Sequence, residues 1–394
     1  MTYSHDGYGM GHLRRNLNIA TRFVQSDSAS NALMVVGSYS GGYLEPSPGI
    51  DFIKIPSIIK VGAGVYEPFS LRNSVERTKA LRSGAIRQAA EAFDPHIFLA
   101  DHVPAGVWDE LVPTLEMFRR KADPPAVLLG MRDIVDSPEL VRKQWAEEGT
   151  YELVNRYYDE VLIYGCPLLF DTARQYGLSG RLTCGVRYCG YVCSEAASQD
   201  PSVVRQQLGV AGGERLVLVT GGGGGDAYPM MQVALEAFRS LGSGAGLKFV
   251  LIAGPLMPPE QKESLQAQAE GLNGRVLSHV YDNLSYLNAA DLVVTMGGYN
   301  TLAEILRLRK KALVLPRRGP RAEQIMRAQL FAQHRLMDYL HPADLTAAKL
   351  RDRMMAGLKQ EDMSTCHPIM EMTGSRNAVS QLIRCGAKQS CAAA

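Results

Sequence analysis

Short β-branched and apolar runs alternate with helix-length stretches along almost the entire chain, and that alternation restricts the fold more than any other feature of the sequence. Strand, helix and strand repeated in this order give a parallel sheet covered by helices. In the first half, strands are expected at residues 33–37, 52–55, 97–100, 126–130 and 160–164. In the second half they are expected at 216–220, 249–253, 275–277, 292–295 and 312–315, with helices at 229–241, 259–269, 301–308 and 321–333. The two halves read as two separate open α/β sheets. A chain of 394 residues also exceeds the size, about 250–300 residues, at which one hydrophobic core stops growing.

Between the halves, Gly190-Tyr191-Val192 leads into the polar, small-residue stretch 194–201, which has the composition of an interdomain linker. The expected organisation is a first domain over residues 1–190, a linker over 191–201, a second domain over 202–365 and a C-terminal segment over 366–394. Helix-like pieces such as 378–384 suit that segment to docking back on the first domain. The beginning is unusual: the first glycine cluster starts at Gly7 and leaves only about Met1 to Ser4 for the strand feeding it, where strands usually run about 5–6 residues. A clipped first strand or a misassigned start would account for this.

Forty-two Lys and Arg against 40 Asp and Glu leave a net charge of +2, so no global field gathers nucleic acid or an anionic bilayer. No nucleic-acid partner is expected, and any anionic ligand must be held locally. No apolar run approaches the about 18 residues of a membrane span. The N-terminus has neither the basic start nor the apolar stretch of a secretory signal, and a cytoplasmic location is the expectation. The seven cysteines include no C-x-x-C, and Cys184, Cys189 and Cys193 have no fourth ligand at a usable spacing. Free thiols and no metal are therefore expected.

Glycine is concentrated in three places, each following a strand. The first, Gly7-Tyr8-Gly9-Met10-Gly11-His12, precedes a helical stretch from about Leu13 to Val24. It approaches the dinucleotide fingerprint G-x-G-x-x-G, but His12 occupies the third glycine position and no acidic residue closes the second strand. A histidine at a helix start, in the crevice where open sheets bind ligands, titrates near neutrality and suits general-base work. The competing reading is a capping or core histidine. Asp101, at the end of the strand 97–100 and followed by His102, opens into the same crevice. It either orients His12, acts as base itself, or caps a loop. Arg14 and Arg15 can reach an acceptor or a phosphate, although at least one belongs on a solvated helix face.

The second cluster, Gly221, Gly222, Gly223, Gly224 and Gly225, joins a strand to a helix starting near Pro229. Its backbone N–H groups are unobstructed and the helix start adds positive charge, so a phosphate or diphosphate fits. The absence of Gly-Lys-Ser/Thr excludes a P-loop. The third element, Gly297-Gly298-Tyr299-Asn300-Thr301 with Glu304, again ends a strand and starts a helix. Thr301-x-x-Glu304 also fits a capping box, and taken alone the cap is the preferred reading of Glu304. Glu304 is equally well placed for both hydroxyls of a ribose. Glu323 and Gln324, at the next helix start, suit a sugar's hydroxyls or, more plainly, a solvated helix N-terminus.

These elements together resemble the GT-B glycosyltransferases: two Rossmann-like domains facing each other across a cleft, a glycine loop ending in His12, the 221–225 loop, Gly297-Gly298-x5-Glu304 and Glu323-Gln324-x3-Ala328. Within that fold the chain looks most like the MurG-type family, glycosyltransferase family 28, specifically over about 216–333 and only in architecture over 30–190. The resemblance implies that the 221–225 loop, Gly297 and Gly298, with Asn300 and Thr301 beside them, bind the donor diphosphate. Glu304 would hold ribose, the backbone around Val280 would meet the base, and Glu323 and Gln324 would read the donor sugar. Gly9, Gly11 and Arg14 would lie on the acceptor side. The family has a paired amide where this chain has Glu323.

The implied reaction moves a hexose, N-acetylglucosamine above all, from a UDP-sugar to an acceptor hydroxyl with inversion, without metal or other cofactor. His12 or Asp101 takes the proton, and helix ends, with or without a basic side chain, stabilise the leaving diphosphate. The apolar stretch 56–69 suits a mobile acceptor loop or, more plainly, the packing of a long connection. It could touch the inner face of a membrane if the acceptor is lipid-linked. Two other classes suit the same features: a nucleotide-sugar 2-epimerase or hydrolase, and a non-catalytic nucleotide-sugar sensor.

Overall fold

The fully apolar runs found above become strands buried on both faces, as parallel sheets between helix layers require. The computed structural model describes residues 1–4, 9–39, 46–62, 65–242, 244–319, 321–360 and 372–392, with side chains as far as 387. Chain contacts divide it into two units, Met1–Cys193 with Glu371–Ala394, and Ser194–Met370.

The first unit contains β1 (Thr2–Ser4), α1 (Gly11–Ser26), β2 (Ala32–Val36), β3 (Ile50–Lys54), β4 (Ile58–Lys60), β5 (Tyr66–Pro68), α2 (Val75–Phe93), β6 (Ile97–Asp101), α3 (Val112–Arg119), β7 (Ala126–Arg132), α4 (Pro138–Glu147), α5 (Thr150–Tyr157), β8 (Glu160–Tyr164), α6 (Thr172–Gln175), α7 (Leu178–Arg181) and β9 (Gly185–Tyr188). The second contains α8 (Pro201–Gln207), β10 (Arg215–Thr220), α9 (Tyr228–Leu241), β11 (Leu247–Ile252), α10 (Pro259–Gln268), β12 (Gly274–Leu277), α11 (Asn283–Ala289), β13 (Leu292–Thr295), α12 (Tyr299–Arg307), β14 (Ala312–Val314), α13 (Glu323–Gln333), β15 (Asp338–Tyr339) and α14 (Ala347–Lys359). The last helix, α15 (Gly374–Ala392), belongs to the first unit.

Unit 1 is built on a parallel sheet ordered β3-β2-β1-β6-β7-β8-β9, and unit 2 on one ordered β12-β11-β10-β13-β14-β15. Register is fixed by burial: Thr2, Tyr3 and Ser4 stand opposite Met34, Val35 and Val36, and Val217 to Thr220 opposite Leu292 to Thr295. The unit 2 core joins Val217, Val219, Leu251 and Val294 of the sheet to Met231 and Leu235 of α9. Phe238 stacks on Phe249 with ring centroids 4.6 Å apart. In unit 1, Leu13, Ala20 and Val24 of α1 pack on Met34, Val36 and Ile50.

Two arrangements differ from the sequence expectation. Tyr191, Val192 and Cys193, placed above in a linker, are buried in unit 1. The Gly374 amide donates to the Tyr191 carbonyl (3.1 Å), so this segment receives the start of α15. Residues 56–69, read above as a mobile acceptor loop or, more plainly, a packed long connection, contain the antiparallel β4–β5 hairpin, with Ile58 fully buried and Val61 and Val65 exposed; residues 63 and 64 lie outside the described set.

Four strands were not expected. β4 and β5 lay within the loop reading, and β9 is an edge strand whose residues alternate between exposed and half-buried. β15 has only two half-buried residues, too few to make an apolar run.

Candidate active site

Each sheet has one place where strand order reverses. In unit 1 the chain builds outward from β1 through β2 to β3, then crosses back to β6. In unit 2 it runs from β10 through β11 to β12, then back to β13. Loops leaving the carboxyl ends of the two strands at such a point part to opposite faces and open a crevice, the usual ligand site of open α/β sheets. The loops at these positions are the ones that carry the candidate residues.

In unit 1, α1 begins at Gly11 directly after Met10, and Asn16 ties it to β1 through the Ser4 hydroxyl (2.9 Å). Gly9 is exposed, and its carbonyl accepts from the Ser38 hydroxyl (2.9 Å) at the end of β2. Gly7 and Tyr8 lie outside the described residues. His12 Nδ1 lies 2.6 Å from Asp101 Oδ2, across the strand-order reversal. Arg15, one helical turn after His12, donates to Asp101 Oδ1 at 2.7 Å and Oδ2 at 2.8 Å. The same Arg15 nitrogen is 2.9 Å from His12 Nδ1.

Two donors cannot share a proton, so the carboxylate at 2.6 Å decides the tautomer. Nδ1–H points at Asp101, and Nε2 keeps its lone pair. Burial opposes ionisation of Asp101, but the Arg15 guanidinium and the His12 imidazole beside it outweigh that and hold the carboxyl down to about 2. A base that weak takes no proton near neutrality. The arrangement can therefore present His12 Nε2 as a proton acceptor with Asp101 orienting the ring, the relation a base and its orienting carboxylate have in other folds. His102 follows in a left-handed conformation (φ 71°), its ring centroid 5.1 Å from that of His12. Arg14 is half-buried on the neighbouring helix position.

In unit 2 the two glycine loops are side by side. A Cβ on Gly222 would come within 3.5 Å of the Thr301 hydroxyl, and one on Gly221 within 3.3 Å of Met296 Sδ. Gly224 (φ 86°) packs so closely that a Cβ would collide with the Ala253 carbonyl. Gly297 (φ 89°) turns the chain out of β13, whereas Gly298 has ordinary φ and open space around its Cβ position. Neither α9 nor α12 has a side-chain hydrogen bond capping its N-terminus, and a helix start is where backbone N–H groups and the helix dipole favour an anion.

The capping-box reading of Thr301 and Glu304 is wrong. The N-cap is Gly298 and α12 begins at Tyr299, two residues before the expected start, which puts Thr301 inside the first turn. Glu304 is 1% exposed, and its Oε2 accepts from the Asn283 amide at 3.0 Å. Asn283 opens α11 directly after the loop containing the half-buried Val280. Asn300 is half-buried at the second position of α12.

Glu323 and Gln324 are both largely buried, which excludes the solvated helix start. Gln324 Oε1 accepts from the Arg317 backbone (3.1 Å). The Arg317 guanidinium bridges Asp226 Oδ2 (2.9 Å), next to the glycine loop, and Glu323 Oε1 (3.4 Å). Arg327, 1% exposed, donates to the Gly297 carbonyl (3.3 Å).

The sequence did not single out Asn283, Arg317 or Arg327, and it set Arg15 no apart from Arg14. For Arg15 a signal was available in its i, i+3 spacing from His12, which puts both on one helix face. Among the described residues no group of three or more His, Cys, Asp or Glu could hold a metal ion, and no helix is long and apolar enough to cross a membrane.

Residues 216–382 match the glycosyltransferase family 28 C-terminal domain. An uncharacterized glycosyltransferase of Methanosarcina mazei is 24% identical over 88% of each chain. The UDP-N-acetylglucosamine–N-acetylmuramyl-(pentapeptide) pyrophosphoryl-undecaprenol N-acetylglucosamine transferase of Clostridium kluyveri is 32% identical over 118 residues, 29% of this chain and 32% of that protein. Among solved structures, Acinetobacter baumannii MurG superposes with a TM-score of 0.57 at 14% identity, covering 98% of both chains. A putative UDP-N-acetylglucosamine 2-epimerase from Listeria monocytogenes gives 0.65 at 14% identity, over 99% of this chain and 96% of that one. With two parallel α/β sheets and a family 28 likeness confined to residues 216–382, the chain is a glycosyltransferase of the GT-B fold that resembles MurG.

Proposed function

We propose that the enzyme transfers N-acetylglucosamine from UDP-N-acetylglucosamine to an acceptor hydroxyl by direct displacement with inversion and without a metal ion. The observation that carries this reading is the pairing of two glycine turns with two uncapped helix starts at the unit 2 strand-order reversal. Backbone amides of 221–225 and 297–298 hold the diphosphate. The positive ends of α9 and α12 stabilise the charge that grows on it as the glycosidic bond breaks.

Glu304 binds ribose after exchanging its bond to Asn283 for the two hydroxyls, and the Val280 backbone meets the base. Glu323 and Gln324 accept and donate to sugar hydroxyls, with Arg317 paired to Glu323. In unit 1, Nε2 of His12 takes the acceptor proton as the acceptor oxygen bonds to the anomeric carbon. In the same step UDP leaves with the electron pair of the broken bond, and Gly9, Gly11 and Arg14 shape the acceptor side. The exposed Val61 and Val65 of the β4–β5 hairpin support peripheral contact with a membrane if the acceptor is lipid-linked.

Incubation with UDP-N-acetylglucosamine tests the reading. UDP release that depends on added acceptor, and is lost in His12→Ala, is the expected result. The likeness to an epimerase makes the second reading concrete: rapid conversion of the donor to its 2-epimer, or its hydrolysis, in the absence of acceptor would replace transfer as the function.

A further inference from the structure

We propose that Arg15 is a positioning residue that sets the proton affinity of His12 by neutralising Asp101. Arg15 is 2% exposed and Asp101 fully buried, and one guanidinium nitrogen reaches both carboxylate oxygens within 2.8 Å. An ionised carboxylate alone beside an imidazole favours imidazolium, which would protonate the base before it could act. A buried guanidinium 2.9 Å from Nδ1 opposes that, because a second positive charge at His12 would face Arg15 directly. The pair thus leaves the carboxylate free to accept from Nδ1–H while its charge is offset, and Nε2 stays basic but unprotonated.

Asp101 is ionised near neutrality, so the carboxylate is present as the acceptor for Nδ1–H. The guanidinium also lies over the Tyr164 ring at 5.6 Å, which holds it in place from β8. His102, after β6, has its ring centroid 5.1 Å from that of His12; Arg14 is a near neighbour on α1, and Arg132 ends β7, the strand beside β6. His5 and Asp6 lie outside the described residues.

The inference rests on His12 as the base, and its test is chosen to work without turnover. The titration of His12 is followed by NMR of the free protein with labelled histidine, assigned through His12→Gln. In Arg15→Gln the midpoint should rise by about one pH unit or more, equivalent to about a tenfold loss of neutral imidazole below it. Arg15→Lys, which restores the charge without the fork, should return the midpoint most of the way. The acid limb of kcat/KM should move by the same amount.

An unmoved midpoint in folded Arg15→Gln would overturn the proposal, as would an equal rise in Arg15→Lys. Should Arg15→Gln not fold, the double variant Arg15→Gln/Asp101→Asn leaves no buried charge unpaired. Its midpoint should lie near the wild-type value, with Asp101→Asn alone below it; any other order refutes charge compensation. If the midpoints move as expected but no acceptor is ever glycosylated, Arg15 keeps its role and the base assignment fails instead.

Discussion

His12 and Glu304 test the account at single side chains, because each has a specific partner that separates function from folding. The His12 side chain is 14% exposed, and His12→Ala leaves the Arg15–Asp101 ion pair beneath it in place. It should lower kcat by about 10²–10⁴-fold while leaving donor affinity unchanged, measured as UDP release and by calorimetry. Loss of donor binding in that variant would contradict the division of roles. For Glu304, conversion to Gln keeps a carbonyl for Asn283 but removes the charge that strengthens bonds to ribose hydroxyls. Nucleotide affinity should fall about tenfold or more, in line with about 1.5–3 kcal/mol for hydrogen bonds to charged groups, with the thermal midpoint little changed.

The residue types were legible in the sequence, since a histidine ending a glycine loop and a glutamate one turn behind another stand out. Their partners were not. Asp101 is 89 residues from His12, and only the parallel crossing from β1 to β6 brings them together. Asn283 could not be chosen before the start of α12 was known to be Tyr299.

Among the elements, the glycine turns divide into those the fold requires and those a ligand would use. Ala at Gly224 would need a strained positive φ and would strike the Ala253 carbonyl. Gly224→Ala should therefore destabilise the protein by at least about 1–3 kcal/mol in denaturant unfolding. Gly298→Ala meets nothing in the fold, so stability should change by less than about 1 kcal/mol while nucleotide affinity drops. Equal effects of the two would refute this distinction.

A second element-level device fixes α15. Glu160 at the start of β8 accepts from Arg384 at 2.7 and 2.8 Å, from Arg187 at 3.0 Å and from Cys385 Sγ at 3.1 Å. Burial opposes its ionisation, but these donors prevail and hold the carboxyl below its ordinary value. A lowered folded-state value means stabilisation present above the unfolded carboxyl range and lost as pH falls through the folded one. Both arginines are substantially exposed, so the contribution is about 1 kcal/mol. Proteolysis within α15 should speed up in the wild type only as the pH falls below the ordinary glutamate range, and already at neutral pH in Glu160→Gln.

The whole molecule consists of two α/β units, and the account gives them different work: unit 2 takes the donor, and unit 1 supplies the base. The alternation of strands and helices was readable because both sheets are buried on both faces and their central strands are unbroken apolar runs. The edges were not, because β9 and β15 carry few buried residues. The unit boundary was displaced for a related reason: Gly190-Tyr191-Val192 has turn-like composition, yet its apolar side chains close the unit 1 core against α15. Near-neutral net charge fits an enzyme that holds a diphosphate with backbone amides and helix ends rather than a basic surface.

Donor binding tests the central claim most directly, by calorimetric titration of UDP-N-acetylglucosamine into the wild type, His12→Ala and Gly298→Ala. Saturable binding of equal strength to the first two, and at least about tenfold weaker binding to the third, is predicted. No saturable binding to the wild type, or unchanged affinity in Gly298→Ala, would contradict the account.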